Sequence, residues 1–262
     1  MTNTNPKRFW TPYELNQLSR SNLQELTQTV VDEIPVEYLT GQVDFCGWTL
    51  RVSPAVLIPR IETEQIIDLA LETLKELSQK QLQIVDVGCG SGAIGLSLWR
   101  QIILNHPQLR VDLSLYEISL AAIEITNKNL ELLTSELSQK LPESIPQITQ
   151  SDLLAQWPKT KKIDLIIANL PYIPSQNLKN LPESVANFEP RLALDGGLDG
   201  LRLVDKLLLQ AKDLLTVAGV IWLELDETHN LTQLSKIRPE FSYQGVSDCF
   251  NKFRFVKAQL KQ

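Results

Sequence analysis

The sequence predicts an α/β fold: a doubly wound, mostly parallel seven-stranded sheet preceded by a small helical segment and a β-hairpin. Three observations predict it. From residue 83 onward, short Val/Ile/Leu-rich runs alternate with longer stretches whose apolar residues recur at helical spacing, the pattern of right-handed β-α-β units. Two of the runs, 83–87 and 163–168, are almost continuously apolar, as strands covered on both faces must be. Both lead into stretches that a core does not require: Gly88-Cys89-Gly90-Ser91-Gly92 after the first, and Asn169-Leu170-Pro171-Tyr172 after the second. In an open α/β sheet, ligands bind at the carboxyl ends of the strands.

In chain order, residues 1–10 read as a loose polar tail. Thr11-Pro12-Tyr13-Glu14 is a helix start, with Thr11 as N-cap, Pro12 in the first turn and Glu14 placed to reach back to the cap. Leu15, Leu18, Leu23, Leu26 and Val30 carry helical spacing toward Pro35, and a second short helix over 36–40 stops at Gly41. Residues 1–42 thus form a helical segment suited to substrate binding. A hairpin linker spans 43–60: Phe45, Trp48, Leu50 and Val52 are strand residues, Cys46-Gly47 is the turn, and 56–60 reads as a further strand.

The sheet domain occupies 61–262. It opens with a helix over 61–77, whose apolar face is Ile66, Leu69, Ala70, Leu74 and Leu77. Strands are expected near 83–87, 111–116, 146–150, 163–168, 219–225, 241–247 and 252–258, with helices near 92–104, 119–134, 200–217 and 227–237. No helix fits between the last two strands, so they should pair antiparallel. Residues 173–198, proline-rich and without period, read as a long loop after a ligand-end strand, which is more often functional than accidental.

Composition excludes several classes. At 262 residues, 43% hydrophobic and 21% charged, the chain has an ordinary globular make-up. Its net charge of -6 argues against a dedicated nucleic-acid binder, which needs a basic footprint. Cys46, Cys89 and Cys249 lie far apart, as in a reduced cytoplasmic protein without a disulfide framework. No Cys/His cluster has zinc-ligand spacing, so no metal is expected. The polar N-terminus lacks a secretory apolar region, and no apolar stretch is long enough to span a bilayer. A cytoplasmic monomer is the expectation.

The glycine loop lets the backbone turn tightly and approach a ligand without Cβ atoms in the way. The step from Gly90 to Ala93 also fits a dinucleotide fingerprint, so the loop alone does not separate NAD from S-adenosylmethionine. Glu117 ends the next strand, where a carboxylate can hold both hydroxyls of a ribose; a solvated strand-end acid is the plain alternative. Asp86 orients the loop amides or meets the cofactor's amino group; a purely structural role is the alternative. Ser151-Asp152-Leu153 follow the third strand, where Asp152 can accept from an adenine amino group or cap a helix over 153–157.

At the second stretch, Asn169 both accepts and donates hydrogen bonds. Pro171 has no N–H, so its surroundings offer mainly carbonyl acceptors. Two acceptors side by side suit a planar NH₂ group, and Tyr172 offers a face to stack on its plane. A structural asparagine in a turn is the alternative.

Asn169-Leu170-Pro171-Tyr172 resembles the Asn/Asp-Pro-Pro-Tyr motif of S-adenosylmethionine-dependent methyltransferases that act on adenine N6 or on the glutamine amide. Three further stretches resemble one branch. Val56-Leu57-Ile58-Pro59-Arg60-Ile61-Glu62-Thr63-Glu64 is similar to its V-L-I-P-R-P-E-T-E segment, Glu37-Tyr38-Leu39-Thr40-Gly41 to its Q-Y-L-x-G, and 188–200 to its F-E-P-x-x-A-L-x-G-G-x-D-G. From about residue 37 to the C-terminus, the chain therefore resembles the protein-glutamine N5-methyltransferases that modify peptide chain release factors. The resemblance implies a Rossmann-like methyltransferase fold, S-adenosylmethionine as cofactor with S-adenosylhomocysteine as product, and release factors as partners. It places Gly88, Cys89, Gly90, Ser91, Gly92, Glu117, Asp152, Leu153, Asn169, Arg60 and Thr63 around the cofactor. It places Asn169, Leu170, Pro171 and Tyr172 around the glutamine, with Asn169, Pro171 and Tyr172 catalytic.

The chain departs from the pattern in four places. Leu170 and Ile61 stand where prolines are usual, 222–226 lacks the glycine after its glutamate, and the helical segment is shorter. Asn-Leu-Pro-Tyr also occurs in rRNA adenine dimethyltransferases. Methylation of a ribosomal-protein glutamine, methylation of adenine N6 in nucleic acid, and cofactor or release-factor binding without turnover are the competing readings.

Overall fold

The computed structural model describes residues 8–29, 33–77 and 81–261. The first helix, α1 (Pro12–Arg20), begins at Thr11 with the expected reciprocal bonds between Thr11 and Glu14. It stops at Ser21, and Asn22 takes a left-handed turn (φ 58°), so α2 (Leu26–Thr29) is a separate short helix and not a continuation. Val30, expected on this helical face, lies outside the described residues. The next helix, α3 (Val36–Thr40), ends at left-handed Gly41, as read from sequence.

Strands β1 (Gln42–Phe45) and β2 (Trp48–Arg51) form the hairpin. Cys46 and Gly47 both have positive φ (48° and 73°), as a tight two-residue turn joining right-twisted strands requires. Residues 56–60 are not a strand. Val56 N–H turns back to the Ser53 carbonyl, the Val56 carbonyl accepts from the Tyr38 hydroxyl at 2.6 Å, and Pro59 has no N–H, so the backbone is satisfied without a ladder.

A 3₁₀ turn (Ile61–Glu64) leads into α4 (Gln65–Glu76). The chain then alternates through β3 (Leu82–Val87), α5 (Ala93–Asn105), β4 (Val111–Glu117), α6 (Leu120–Glu136), β5 (Gln147–Gln150) and β6 (Ile163–Ala168). The stretch expected as a loop folds into β7 (Ile173–Pro174), α7 (Glu183–Ala186) and β8 (Asp195–Gly197), with β7 and β8 pairing parallel. It is completed by α8 (Arg202–Ala211), β9 (Leu215–Glu224), α9 (Leu231–Ile237), β10 (Phe241–Ser247) and β11 (Phe253–Leu260).

Two helices are shorter than their spacing suggested. Past Ala211, the Leu214 carbonyl accepts from Ile163 N–H at 2.8 Å, which draws the chain into the sheet. The last helix, α9, waits for Asn230, whose capping box with Gln233 was present in the sequence as Asn-x-x-Gln. Residues before it are held in a turn by Asp226, which accepts from Thr228 N–H.

The sheet has the order β10-β11-β9-β6-β3-β4-β5, parallel except for β11, which runs antiparallel to β10, as expected, and also to β9. From β3 the chain winds outward to β4 and β5, then returns to β6 on the other side. The strand order reverses between β3 and β6, so the glycine loop and Asn169 emerge side by side at the switch point.

All six residues of β6 are buried. Leu165 and Ile167 pack with Trp222, α4 and α5 on one face; Ile166 and Ala168 pack with Trp157, Val204 and Leu207 on the other. The hairpin is part of the first layer. Phe45 and Leu50 are fully buried, and Trp48 Nε1 donates to Ser97 Oγ of α5 at 2.8 Å.

Candidate active site

The loop after β3 turns on Gly88, Gly90 and Gly92, all at positive φ. Gly88 and Cys89 N–H groups both donate to the Tyr116 carbonyl of β4. Gly92 caps α5 at φ 79°, and a Cβ there would lie 2.8 Å from Leu96 and 2.9 Å from Thr126, so these side chains would have to shift to admit it. A Cβ on Gly90 would meet no protein atom within 4 Å, so this side of the loop is open to a ligand. Beside it lie the N–H groups that start α5, the positive end of a helix. Cys89 and Ser91 are buried: the Cys89 thiol, raised by burial, contacts Thr126, and Thr126 Oγ1 donates to the Gly90 carbonyl at 2.7 Å.

Glu117 stands over this loop, largely buried. Its Oε2 accepts from Gly90 N–H and its Oε1 from Ile118 and Ser119 N–H, each at 2.9 Å. The strand-end acid therefore anchors the loop, and its one remaining acceptor site, on Oε2, is available to a hydroxyl donor. Asp86 accepts from Gly95 N–H at 2.8 Å beneath the loop, and burial pushes its carboxyl up to about 7. The expected helix over 153–157 is a turn instead: Leu153 is left-handed (φ 54°), Ser151 Oγ accepts from Gln156 N–H, and Leu154 N–H donates to Gln210 of α8. Asp152 is half-exposed and pairs with Lys206, which sequence reading did not single out.

Asn169 and Tyr172 line a cavity of about 460 Å³ together with Arg60, Leu57, Asn177 and Asp226. Leu170 also lines this cavity but is almost wholly buried in the core. It is 3% exposed and packs so closely on Gly88 that a Cβ there would come within 2.8 Å. The unusual residue of the motif thus fills the space under the glycine loop and leaves its backbone for the cleft. The Pro171 carbonyl packs on Gly196 of β8, and the Tyr172 carbonyl on Gly200. Burial raises the Tyr172 hydroxyl above its ordinary range.

Arg60 reaches the cavity wall and pairs at 2.5 Å with Glu189, whose carboxyl is almost fully buried and raised by that burial. Arg191 instead pairs with Asp195. Thr63 is 2% exposed, and its hydroxyl lacks a hydrogen-bond partner. Sequence reading missed Asn129. This fully buried side chain accepts from Arg51 N–H and donates to the carbonyls of Arg51 and Ser91, tying the hairpin to the cofactor loop. A lone asparagine on a helix carries no signal of such a role; only its neighbours in space reveal it.

The description "Methyltransferase small domain" matches residues 63–198. The release factor glutamine methyltransferase of Moorella thermoacetica is 36% identical over 84% of this chain, which spans 75% of that protein. That of Lactococcus lactis is 31% identical over 94% of the chain, which spans 90% of it. This chain belongs to the release factor glutamine methyltransferase family. The human family member, "MTRF1L release factor glutamine methyltransferase", is 35% identical over 79% of the chain, and the chain spans 60% of its length.

Among solved structures, the Thermus thermophilus 16S rRNA N2 G1207 methyltransferase aligns with a TM-score of 0.56, covering 84% of this chain and 50% of that one at 18% identity. The N-terminal domain of human METTL16 aligns at 0.54, covering 100% and 99% at 14% identity. Both share the Rossmann-like methyltransferase fold. In the family frame, the four spatial groups described above lie at one sheet end: the glycine loop, Glu117, the Asn169 turn and the Arg60 segment. Among the described residues no cluster of His, Cys, Asp and Glu suits a metal ion, and no helix is long and apolar enough to cross a membrane.

Proposed function

We propose that this chain uses S-adenosylmethionine to methylate the N5 side-chain amide of the glutamine in the Gly-Gly-Gln motif of peptide chain release factors. One observation carries the reading. At the strand-order reversal, Asn169 and Tyr172 line a cleft whose floor, Leu170, packs on the glycine loop. The open surface of Gly90, the helix start behind it and the Glu117 carboxylate fit a nucleoside-bearing cofactor. Gly88 to Gly92, Glu117, Asp152, Leu153, Arg60 and Thr63 would surround it. When bound, it supplies a methyl group activated by a sulfonium.

An amide nitrogen is a poor nucleophile, because its lone pair is delocalised into the carbonyl, the resonance behind a rotation barrier of ~18–20 kcal/mol. Orientation by this chain is therefore the main contribution. The Asn169 side-chain oxygen takes one N–H. The Pro171 carbonyl is packed on Gly196, so we assign the other N–H to the Leu170 carbonyl. Tyr172 holds the amide plane. Such positioning is worth roughly 7–11 kcal/mol when the geometry is right.

The helices α1 to α3 grip the body of the substrate, a role supported by the exposed Phe9, Tyr13 and Leu15. In this reading the enzyme is a monomer in the cytoplasm, where its three unpaired cysteines stay reduced.

Mass spectrometry of purified release factor incubated with the enzyme and S-adenosylmethionine tests the proposal. A gain of one methyl on that glutamine is expected. No gain with cofactor bound would redirect the search to ribosomal-protein or nucleic-acid substrates. A second prediction concerns Glu117. Glu117→Ala leaves three N–H groups without their acceptor and should weaken S-adenosylmethionine binding by roughly 10–100-fold, read by calorimetry. A change under two-fold would remove Glu117 from the cofactor site.

A further inference from the structure

The turn after β5 is held by a helix from a distant part of the chain. Ser151 N–H donates to the Glu117 carbonyl at 2.8 Å, so the turn begins beside the acid that ends β4. Exposed Asp152 follows, and then Leu153, left-handed at φ 54°. A leucine seldom takes this conformation, which persists only where the surroundings enforce it. Two side chains of α8 grip the turn. Gln210 Oε1 accepts from Leu154 N–H at 2.8 Å, and Gln210 Nε2 donates to the Asp152 carbonyl at 3.5 Å. Lys206, one helical turn earlier on the same face, pairs with Asp152 Oδ2. Val204, Leu207, Leu208 and Ala211 bury the other face of α8 in the layer that also takes Leu153 and Leu154, which makes the helix a firm support.

Two polar groups of the turn are left over. Asp152 Oδ1 and Leu153 N–H make no hydrogen bond among the described residues. Leu153 is 7% exposed, and a backbone N–H without a partner on so buried a residue is uncommon. This acceptor and this donor stand on adjacent residues. The edge of adenine offers their complement, an amino donor beside a bare ring nitrogen.

We propose that Gln210 and Lys206 are positioning residues for the cofactor, holding the turn at Asp152 and Leu153 in the shape that selects an adenine base. This rests on the reading above that Asp152 and Leu153 meet the cofactor. Lys206 occupies one oxygen of the Asp152 carboxylate and leaves the other for the base. Gln210 fixes the backbone on both sides of Leu153. The Lys206 pair is half in solvent, so Lys206→Ala should weaken cofactor binding only about three-fold. Gln210→Ala deprives the buried Leu154 N–H of its acceptor and should weaken binding about ten-fold.

Calorimetry with S-adenosylhomocysteine and S-inosylhomocysteine tests the proposal. The inosyl analogue carries a carbonyl and a ring N–H where adenine carries an amino group and a bare nitrogen. It reverses both hydrogen bonds and leaves the ribose and amino acid unchanged. The wild-type protein should prefer the adenosyl ligand by roughly 100-fold. Lys206→Ala should cut that preference about three-fold and Gln210→Ala about ten-fold, through the adenosyl ligand alone. Lys206→Arg keeps the cation and should restore the preference to within about two-fold of the wild type. A support that acts only on the fold would weaken both ligands equally. An unchanged preference in Lys206→Ala therefore overturns the proposal, even if Gln210→Ala does not fold. A wild-type protein that binds both ligands equally rejects the contact of Asp152 and Leu153 with the base, and the proposal with it. Because the titration needs no release factor, a preference lost in the variants of a protein inactive on release factors would reject that substrate and keep the assignment of Gln210 and Lys206.

Discussion

Asn169→Ala should abolish methyl transfer while leaving S-adenosylmethionine affinity within a few-fold. The asparagine sits at the end of a strand buried along its whole length, so its backbone is held by the core and the substitution deletes little more than the amide. What disappears is one of two acceptors that align the substrate NH₂ group. Loss of a single preorganised hydrogen-bond group in an active site costs roughly 10²–10³-fold in kcat. Here the loss should be at the upper end or beyond, because the Asn169 amide is the side-chain acceptor assigned to the substrate nitrogen. The cofactor keeps the glycine loop and Glu117, which do not depend on the Asn169 amide. Single-turnover kinetics and calorimetry on the same preparation separate the two effects. Near-wild-type turnover would refute the assigned geometry.

Gly200→Ala should be the most damaging change of a single methyl group. Gly200 is left-handed (φ 80°), and a Cβ there would lie 2.2 Å from the Tyr172 carbonyl and 2.8 Å from His229 Nε2. The first contact is backbone, so it cannot be relieved by a rotamer. The ring is no freer: His229 is buried, and its Nε2 is 3.0 Å from the Asp199 carbonyl. Left-handed strain of roughly 1–2 kcal/mol adds to overpacking of about 1–3 kcal/mol, for a destabilisation of roughly 3 kcal/mol. At about 2–4 °C per kcal/mol, the Tm should fall by roughly 6–12 °C. The shift displaces Tyr172, so activity should fall even below the melting range. Gly47→Ala is the control. Its φ of 73° brings the same strain, but nothing lies within 4 Å of the added methyl, and its Tm should fall by roughly 2–8 °C, less than that of Gly200→Ala. Equal losses in the two variants would show that the contact with Tyr172 carries no cost.

These two glycines mark the limit of what could be read from the chain. Gly47 was legible as half of a Cys-Gly hairpin turn, because a two-residue turn has a local backbone requirement. Gly200 lay in a family-like segment, but nothing near it in sequence points to the Tyr172 carbonyl. Likewise, the capping signals of Thr11 and Asn230 are written in four consecutive residues. Residues 56–60 have the apolar content of a strand but no partner ladder, and that lack is not visible in their own composition.

By itself, the sequence determined the alternation of strands and helices, the antiparallel end of the sheet, the two ligand-end stretches and the family resemblance. Periodicity, glycine and capping act over a few residues, so they survive in one dimension. Only the tertiary structure decided that Leu170 packs under the glycine loop, that Arg60 finds Glu189 across 129 positions, and that Asn129 ties the hairpin to Ser91. It also decided that Glu224 is buried at the end of β9, one residue past the pairing of Leu223 with Ala168. Each depends on which strands become neighbours when the order reverses between β3 and β6, and on burial, which changes the energy of a polar group without changing its name.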